Sequence, residues 1–194
     1  MRGARRSAAV REVPASFASD DSGATAVEFG VVALPFLMMV FFIINIGFYY
    51  FTINSLDKGV SDATRQVLTG TAQSNNMTVG QFKSLICSQA NIGGGTIDCT
   101  KLTILITSST TGWADLIAKA GAQSCTSNGT LNASTGQASD LLAAYTNGTS
   151  AYVMVTACYS WNGSKLLPYF NFSRLSDGTT LMQSAIAFET EPYS

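Results

Sequence analysis

The stretch Gly23–Phe51 reads GATAVEFGVVALPFLMMVFFIINIGFYYF. No residue from Phe29 to Leu56 carries a charge, and one carboxylate, Glu28, stands at the threshold of the run. As a helix, Phe29 to Phe51 extends about 34 Å at ~1.5 Å per residue, enough to cross a hydrocarbon core of ~30 Å. A core helix of a globular domain would show a polar face, and this run has almost none. A cleaved secretory signal has an apolar core of only ~7–15 residues followed by small residues. Here the run leads into GFYYFTINSLDKG, which offers no such site. The stretch predicts a membrane span over about 29–51.

The flanks set the expected orientation. Arg2, Arg5, Arg6 and Arg11 precede the span, and Lys58 and Arg65 follow it more thinly. The basic excess favours a cytoplasmic N-terminus. Phe48, Tyr49, Tyr50 and Phe51 read as an aromatic belt at the far interface. Beyond it, Ile53, Leu56, Val60, Ala63 and Val67 recur at helical spacing, with Asp57, Lys58, Ser61, Asp62 and Arg65 between them. That is an amphipathic stripe. Residues 24–69 therefore read as one helix, apolar all round at first and one-sided afterwards. Pro35 is expected to kink or loosen it, because proline removes the bond to the Val31 carbonyl. Gly70 is the expected stop.

From Gly70 onward the composition shifts to Ser, Thr, Asn, Gln and Gly. Thr78-Val79-Gly80-Gln81 has the form of a capping box ahead of Phe82, Leu85 and Ile86, which predicts a short helix. Residues 101–108, 151–161 and 180–189 are β-rich, with Phe188 suited to a core-facing position. Residues 113–120 read as a second short helix, and 121–149 as a long surface loop or two small turns. The expected fold class is α+β: a long N-terminal transmembrane and amphipathic helix packed on a small antiparallel β-sheet. Ile53, Leu56, Val60 and Val67 supply the helix side of its core.

Composition excludes several chemistries. The chain has 194 residues, net charge −1 and no histidine. A Ser/His/Asp triad, a Cys/His pair and a histidine-containing zinc site are therefore impossible within one chain. The basic residues form no patch, so nucleic-acid binding is not expected. The turn Asn91–Gly95 is no phosphate loop, since no GK[ST] follows. Asp98, Asp115, Asp140 and Asp177 lack EF-hand spacing and read as solvated turn residues. Six Asn-x-Ser/Thr sequons begin at Asn76, Asn128, Asn132, Asn147, Asn162 and Asn171, the chance yield of so Asn- and Thr-rich a chain. Trp113, Trp161, Tyr169 and Phe170 are candidates for surface binding, with core packing the commoner fate. Cys87, Cys99, Cys125 and Cys158 all follow the span without a CxxC pair, which points to two disulfides in an oxidising compartment. Three pairings are possible. The nearest-neighbour one joins Cys87 to Cys99 and Cys125 to Cys158.

GATAVEF resembles a type IV prepilin-like motif: a Gly before a scissile bond, an acidic residue fifth in the mature chain, and an apolar segment. More closely, the stretch to Phe51 and DATRQVLTG at 62–70 resemble TadE-like pseudopilins of the Tad (Flp) pilus system. SAIAFETEPY at 184–193 resembles that family's C-terminal end. The resemblance implies a leader over 1–23, cleavage between Gly23 and Ala24 by a prepilin peptidase, and an assembly role for Glu28. It implies a minor pilin rather than a major one, because residues 70–194 form an exported, periplasmic domain. It implies as partners the peptidase, other pilin and pseudopilin subunits, the inner-membrane assembly platform and its motor ATPase. No cofactor, metal or catalytic residue is implied. Two other readings use the same span: an uncleaved signal anchor holding a periplasmic binding or adhesion module, and a membrane-tethered hydrolase using carboxylates. For the last, no two acidic residues of the exported part form a motif.

Overall fold

The computed structural model describes residues 22–69, 71–92, 97–134, 151–165 and 175–190. The leader before Ser22, the stop at Gly70, the glycines at 93–95, Asp140, Asn147, Asn171, Tyr169 and Phe170 lie outside the described residues. The elements are α1 (Ser22–Leu68), α2 (Thr71–Ser74), α3 (Val79–Ala90), β1 (Leu102–Ser109), α4 (Trp113–Gly121), β2 (Thr126–Ser127), β3 (Thr130–Leu131), β4 (Tyr152–Trp161) and β5 (Thr180–Glu189). Short 3-10 turns occupy Cys99–Lys101 and Asn162–Lys165. The helix assignment runs through Pro35 without a break. The chain divides into two compact units between Ile43 and Ile44.

In the first unit, no residue from 23 to 43 is buried. Phe29 and Val31 keep 75% and 69% of their surface. Aqueous solvent would not tolerate such a continuous apolar surface on a lone helix. It is a surface made for lipid or for other helices, and α1 is the one described helix long and apolar enough to cross a membrane.

In the second unit the stripe of α1 meets the sheet. Leu56, Val60, Ala63 and Val67 are fully buried, and Ile53 packs at their margin. Burying each of the larger side chains is worth ~1.5–3 kcal/mol. The sheet is antiparallel in the order β1-β4-β5. Its register pairs Ile106 with Val155 and Val155 with Ile186, aligning Ile104, Val153, Ala157, Met182 and Phe188 on the same face. A slip of one residue would turn all of them away from the helix.

Helix α3 closes the core with Phe82 and Ile86. Its start is fixed as the sequence predicts: the Gln81 N–H donates to Thr78 Oγ1 at 3.2 Å, and the Thr78 N–H donates to Gln81 Oε1 at 2.8 Å. At its end, the Asn91 amide donates to the carbonyls of Cys87 and Ile97 at 3.0 and 3.1 Å, while the Ile97 N–H donates to Asn91 Oδ1 at 2.9 Å. Cys87 is bonded to Cys99, and Cys125 to Cys158.

The opposite face of the sheet carries Leu105, Thr107, Met154, Thr156, Cys158, Leu181 and Gln183 by alternation. Helix α4 and the segment after it cover part of this face. The region after residue 121, expected to be a long surface loop or two small turns, contains the small hairpin β2–β3. Its turn is Asn128-Gly129, both with positive φ (52° and 76°), the pattern of a two-residue type I′ connection. The Asn-Gly dipeptide is the signal that predicts it. The Gly129 carbonyl accepts from the Ser176 N–H at 2.7 Å, so the hairpin is tied to the turn before β5.

Candidate processing and assembly site

Gly23, Ala24 and Glu28 all lie in the first two turns of α1, and all three are exposed. Gly23 and Ala24 belong to the first described turn of α1. A Cβ on Gly23 would meet nothing within 4 Å. Packing within the chain therefore gives no reason for glycine there. Glu28 has no ion-pair partner among the described residues, where Asp115–Lys119 is the pair present. Glu28 stands in the second turn, beyond the first turn where the helix dipole favours a carboxylate.

Where α1 enters the second unit, a small polar and aromatic cluster holds it. The Asn45 amide donates to the Gly163 carbonyl at 3.3 Å. Tyr49 stands edge-on to Trp161, ring centroids 5.5 Å apart. A Cβ on Gly163 would overlap the Trp161 ring. Tyr49 thus faces β4 instead of joining an outward belt, while Phe48 and Tyr50 remain about 60% exposed. Asn45 is a residue that sequence reading passed over. Its signal is plain in retrospect: it is the single carboxamide between Phe29 and Phe51. Two turns on from Asn45, Thr52 returns its hydroxyl to the Phe48 carbonyl at 2.8 Å, satisfying itself within the helix.

Glycine has a different role farther along. A Cβ on Gly59 would lie 2.7 Å from both the Ile86 carbonyl oxygen and Ala90 Cβ. Helices α1 and α3 approach so closely here that no side chain fits.

The candidate acidic residues are accounted for locally. Asp98 accepts from the Thr100 hydroxyl and N–H at 2.7 and 3.0 Å, which holds its carboxyl below the usual range. Asp177 accepts from Thr179 in the same manner. Asp115 pairs with Lys119 at 2.7 Å and accepts from the Ser109 hydroxyl at 2.6 Å, contacts that lower its pKa in that order. Each is a turn or helix-start carboxylate with neighbouring partners. Among the described residues no group of three or more His, Cys, Asp or Glu is placed to hold a metal ion. Trp161 packs inward, whereas Trp113 keeps 42% of its surface and stands edge-on to Tyr152.

These features define a class: an α+β protein in a pilin-like arrangement, with one apolar N-terminal helix whose second half is a wall of the domain core. Residues 23–65 match the family described as TadE-like protein. The match begins at Gly23 and ends with the stripe that packs on the sheet. No curated protein and no solved structure matches the chain.

Proposed function

We propose that the chain is a minor pseudopilin of a Tad-type pilus, cleaved after Gly23 and incorporated through its N-terminal helix. The observation that carries this reading is the TadE-like match, which starts at the residue before the proposed scissile bond. The exposed Gly23, with no packing reason to be glycine, supports it, since a peptidase needs close access to the backbone. Cleavage would create an α-amino group at Ala24, one helical turn before Glu28. In lipid, Glu28 rests near the interface at little cost. Among bundled helices an unpaired charge costs several kcal/mol, and the new amine of its own or a neighbouring helix is the available partner. Pairing fixes the stagger between subunits. In this reading the N-terminus is cytoplasmic and the domain periplasmic, the orientation that the basic residues before the span favour. A prepilin peptidase, other pilin subunits and the inner-membrane assembly platform are the partners.

The test is the N-terminus of the membrane-extracted protein from cells with an active prepilin peptidase. Ala24 is the expected first residue, and Gly23→Leu is expected to leave the precursor intact. An uncut wild-type chain would instead fit a signal-anchored periplasmic binding module. Glu28→Ala is expected to be cleaved normally yet to be lost from sheared pili.

A further inference from the structure

The sheet face turned away from α1 bears a cavity of about 420 Å³ beneath α4. That size lies within the range of small-ligand sites. Its apolar patches come from Leu105, Ile117, Met154 and Leu181. The neutral hydrogen-bonding side chains of the lining include Thr107, Thr156 and Gln183. Thr107 and Thr156 are only 7% and 8% exposed. Neither their hydroxyls nor the Gln183 carboxamide has a side-chain hydrogen-bond partner among the described residues. Buried hydroxyls are normally paired, and each pair left unmade is costly. Among the described residues no Asp, Glu, Lys or Arg lines the cavity. Cys125 forms part of the wall, and its bond to Cys158 anchors that wall to β4.

The site extends toward an aromatic platform. Trp113 precedes Ile117 by four residues on α4, which puts both on one helix face. Tyr152 precedes Met154 by two on β4, which puts both on one sheet face. The rings of Trp113 and Tyr152 meet at 4.9 Å, so the two series converge at one end of the cavity.

We propose that this cavity binds a neutral saccharide, with Thr107, Thr156 and Gln183 bonding its hydroxyls and Trp113 meeting a further sugar unit. Hydroxyl and carboxamide side chains each donate and accept, matching sugar hydroxyls that do the same. The C–H face of a pyranose is apolar and suits Leu105, Met154 and Leu181. An acidic ligand would have no compensating charge here. A lipid tail would leave the two threonine hydroxyls unpaired. An extended peptide gains affinity by adding to a sheet edge, but this site lies on the face of the sheet and not along the edge of β1 or β5. The site belongs to the domain alone and does not depend on the chain being a pilin.

The experiment uses the full chain in lauryldimethylamine oxide, a detergent without a sugar headgroup. Saturation-transfer NMR is run against oligosaccharides of glucose, mannose, galactose and N-acetylglucosamine, with oligogalacturonate as the charged comparison. Transfer to at least one neutral oligomer is expected, with none to oligogalacturonate. Thr156→Val and Gln183→Ala are each expected to weaken that binding about tenfold. Thr156→Val should leave the melting temperature unchanged or higher, because its hydroxyl has no internal partner to lose. The proposal is overturned if no neutral oligomer binds at millimolar concentration or if both variants bind as the parent does. Equal binding of oligogalacturonate, or a lowered melting temperature for Thr156→Val, would also overturn it.

Discussion

Three glycines and one asparagine separate what the fold needs from what a partner needs. Gly59 is demanded by packing: the carbonyl of Ile86 and the Cβ of Ala90 occupy the space of any side chain. Gly59→Ala is expected to lower domain stability by ~1–3 kcal/mol through forced separation of α1 and α3, read as a lower denaturant midpoint. Gly163 is demanded in the same way by the Trp161 ring. Gly23 is not demanded by packing among the described residues, so Gly23→Ala should leave the denaturation midpoint unchanged, and any loss it causes is expected in the proposed processing. Asn45→Leu is the converse test inside the apolar run. It removes the amide that reaches Gly163 while making the run more apolar. Membrane insertion is expected to persist, with the domain destabilised by ~1 kcal/mol.

The elements differ in how openly the sequence announces them. Helix α3 is announced by its capping box, and both halves of the box are formed. Thr78→Ala is expected to cost ~0.5–2 kcal/mol, measured by thermal unfolding. Strands β1, β4 and β5 were legible because β-branched runs stood between turn residues, and the stripe on α1 was legible from its spacing. The hairpin β2–β3 was not, because its strands are two residues each and its register depends on Asn128-Gly129 and on Cys125 joining Cys158. The outer-face cavity was equally hidden, since Thr107, Thr156 and Gln183 meet only through strand pairing distant in sequence. The proposed processing motif, by contrast, is entirely local and needed no fold to be seen. Helix α4 carries a pH signature. Asp115 is held below the usual carboxylate range by Lys119 and then Ser109, so its folded pKa lies under its unfolded one. Its contribution is fully present above the ordinary aspartate range and is lost as pH falls through and below that range. Asp115→Asn should therefore lower stability slightly at neutral pH and leave the acid end unchanged, which flattens the acid limb of the stability profile.

For the whole molecule, the decisive fact is that the domain borrows a wall from α1. Leu56, Val60, Ala63 and Val67 are fully buried against the sheet and α3. Their burial is worth roughly 5 kcal/mol or more, comparable to the entire stability of many domains. A fragment that starts at residue 70 is expected to lack a cooperative unfolding transition, whereas one starting at Ile44 retains the wall. The two disulfides close loops with sequence separations of 12 and 33, which corresponds to about 3 and about 4 kcal/mol of restricted unfolded chain. Their connectivity also bears on the time order of biogenesis. The bonds join consecutive cysteines, first with second and third with fourth. In the proposed topology the domain crosses the membrane behind the span, residue 70 side first, so Cys99 emerges while Cys87 is the only other thiol in reach. By the time Cys125 appears, both earlier sulfurs can already be sealed. Vectorial delivery by itself then selects the native pairing, so an oxidant suffices and no isomerase is required to sort the three alternatives.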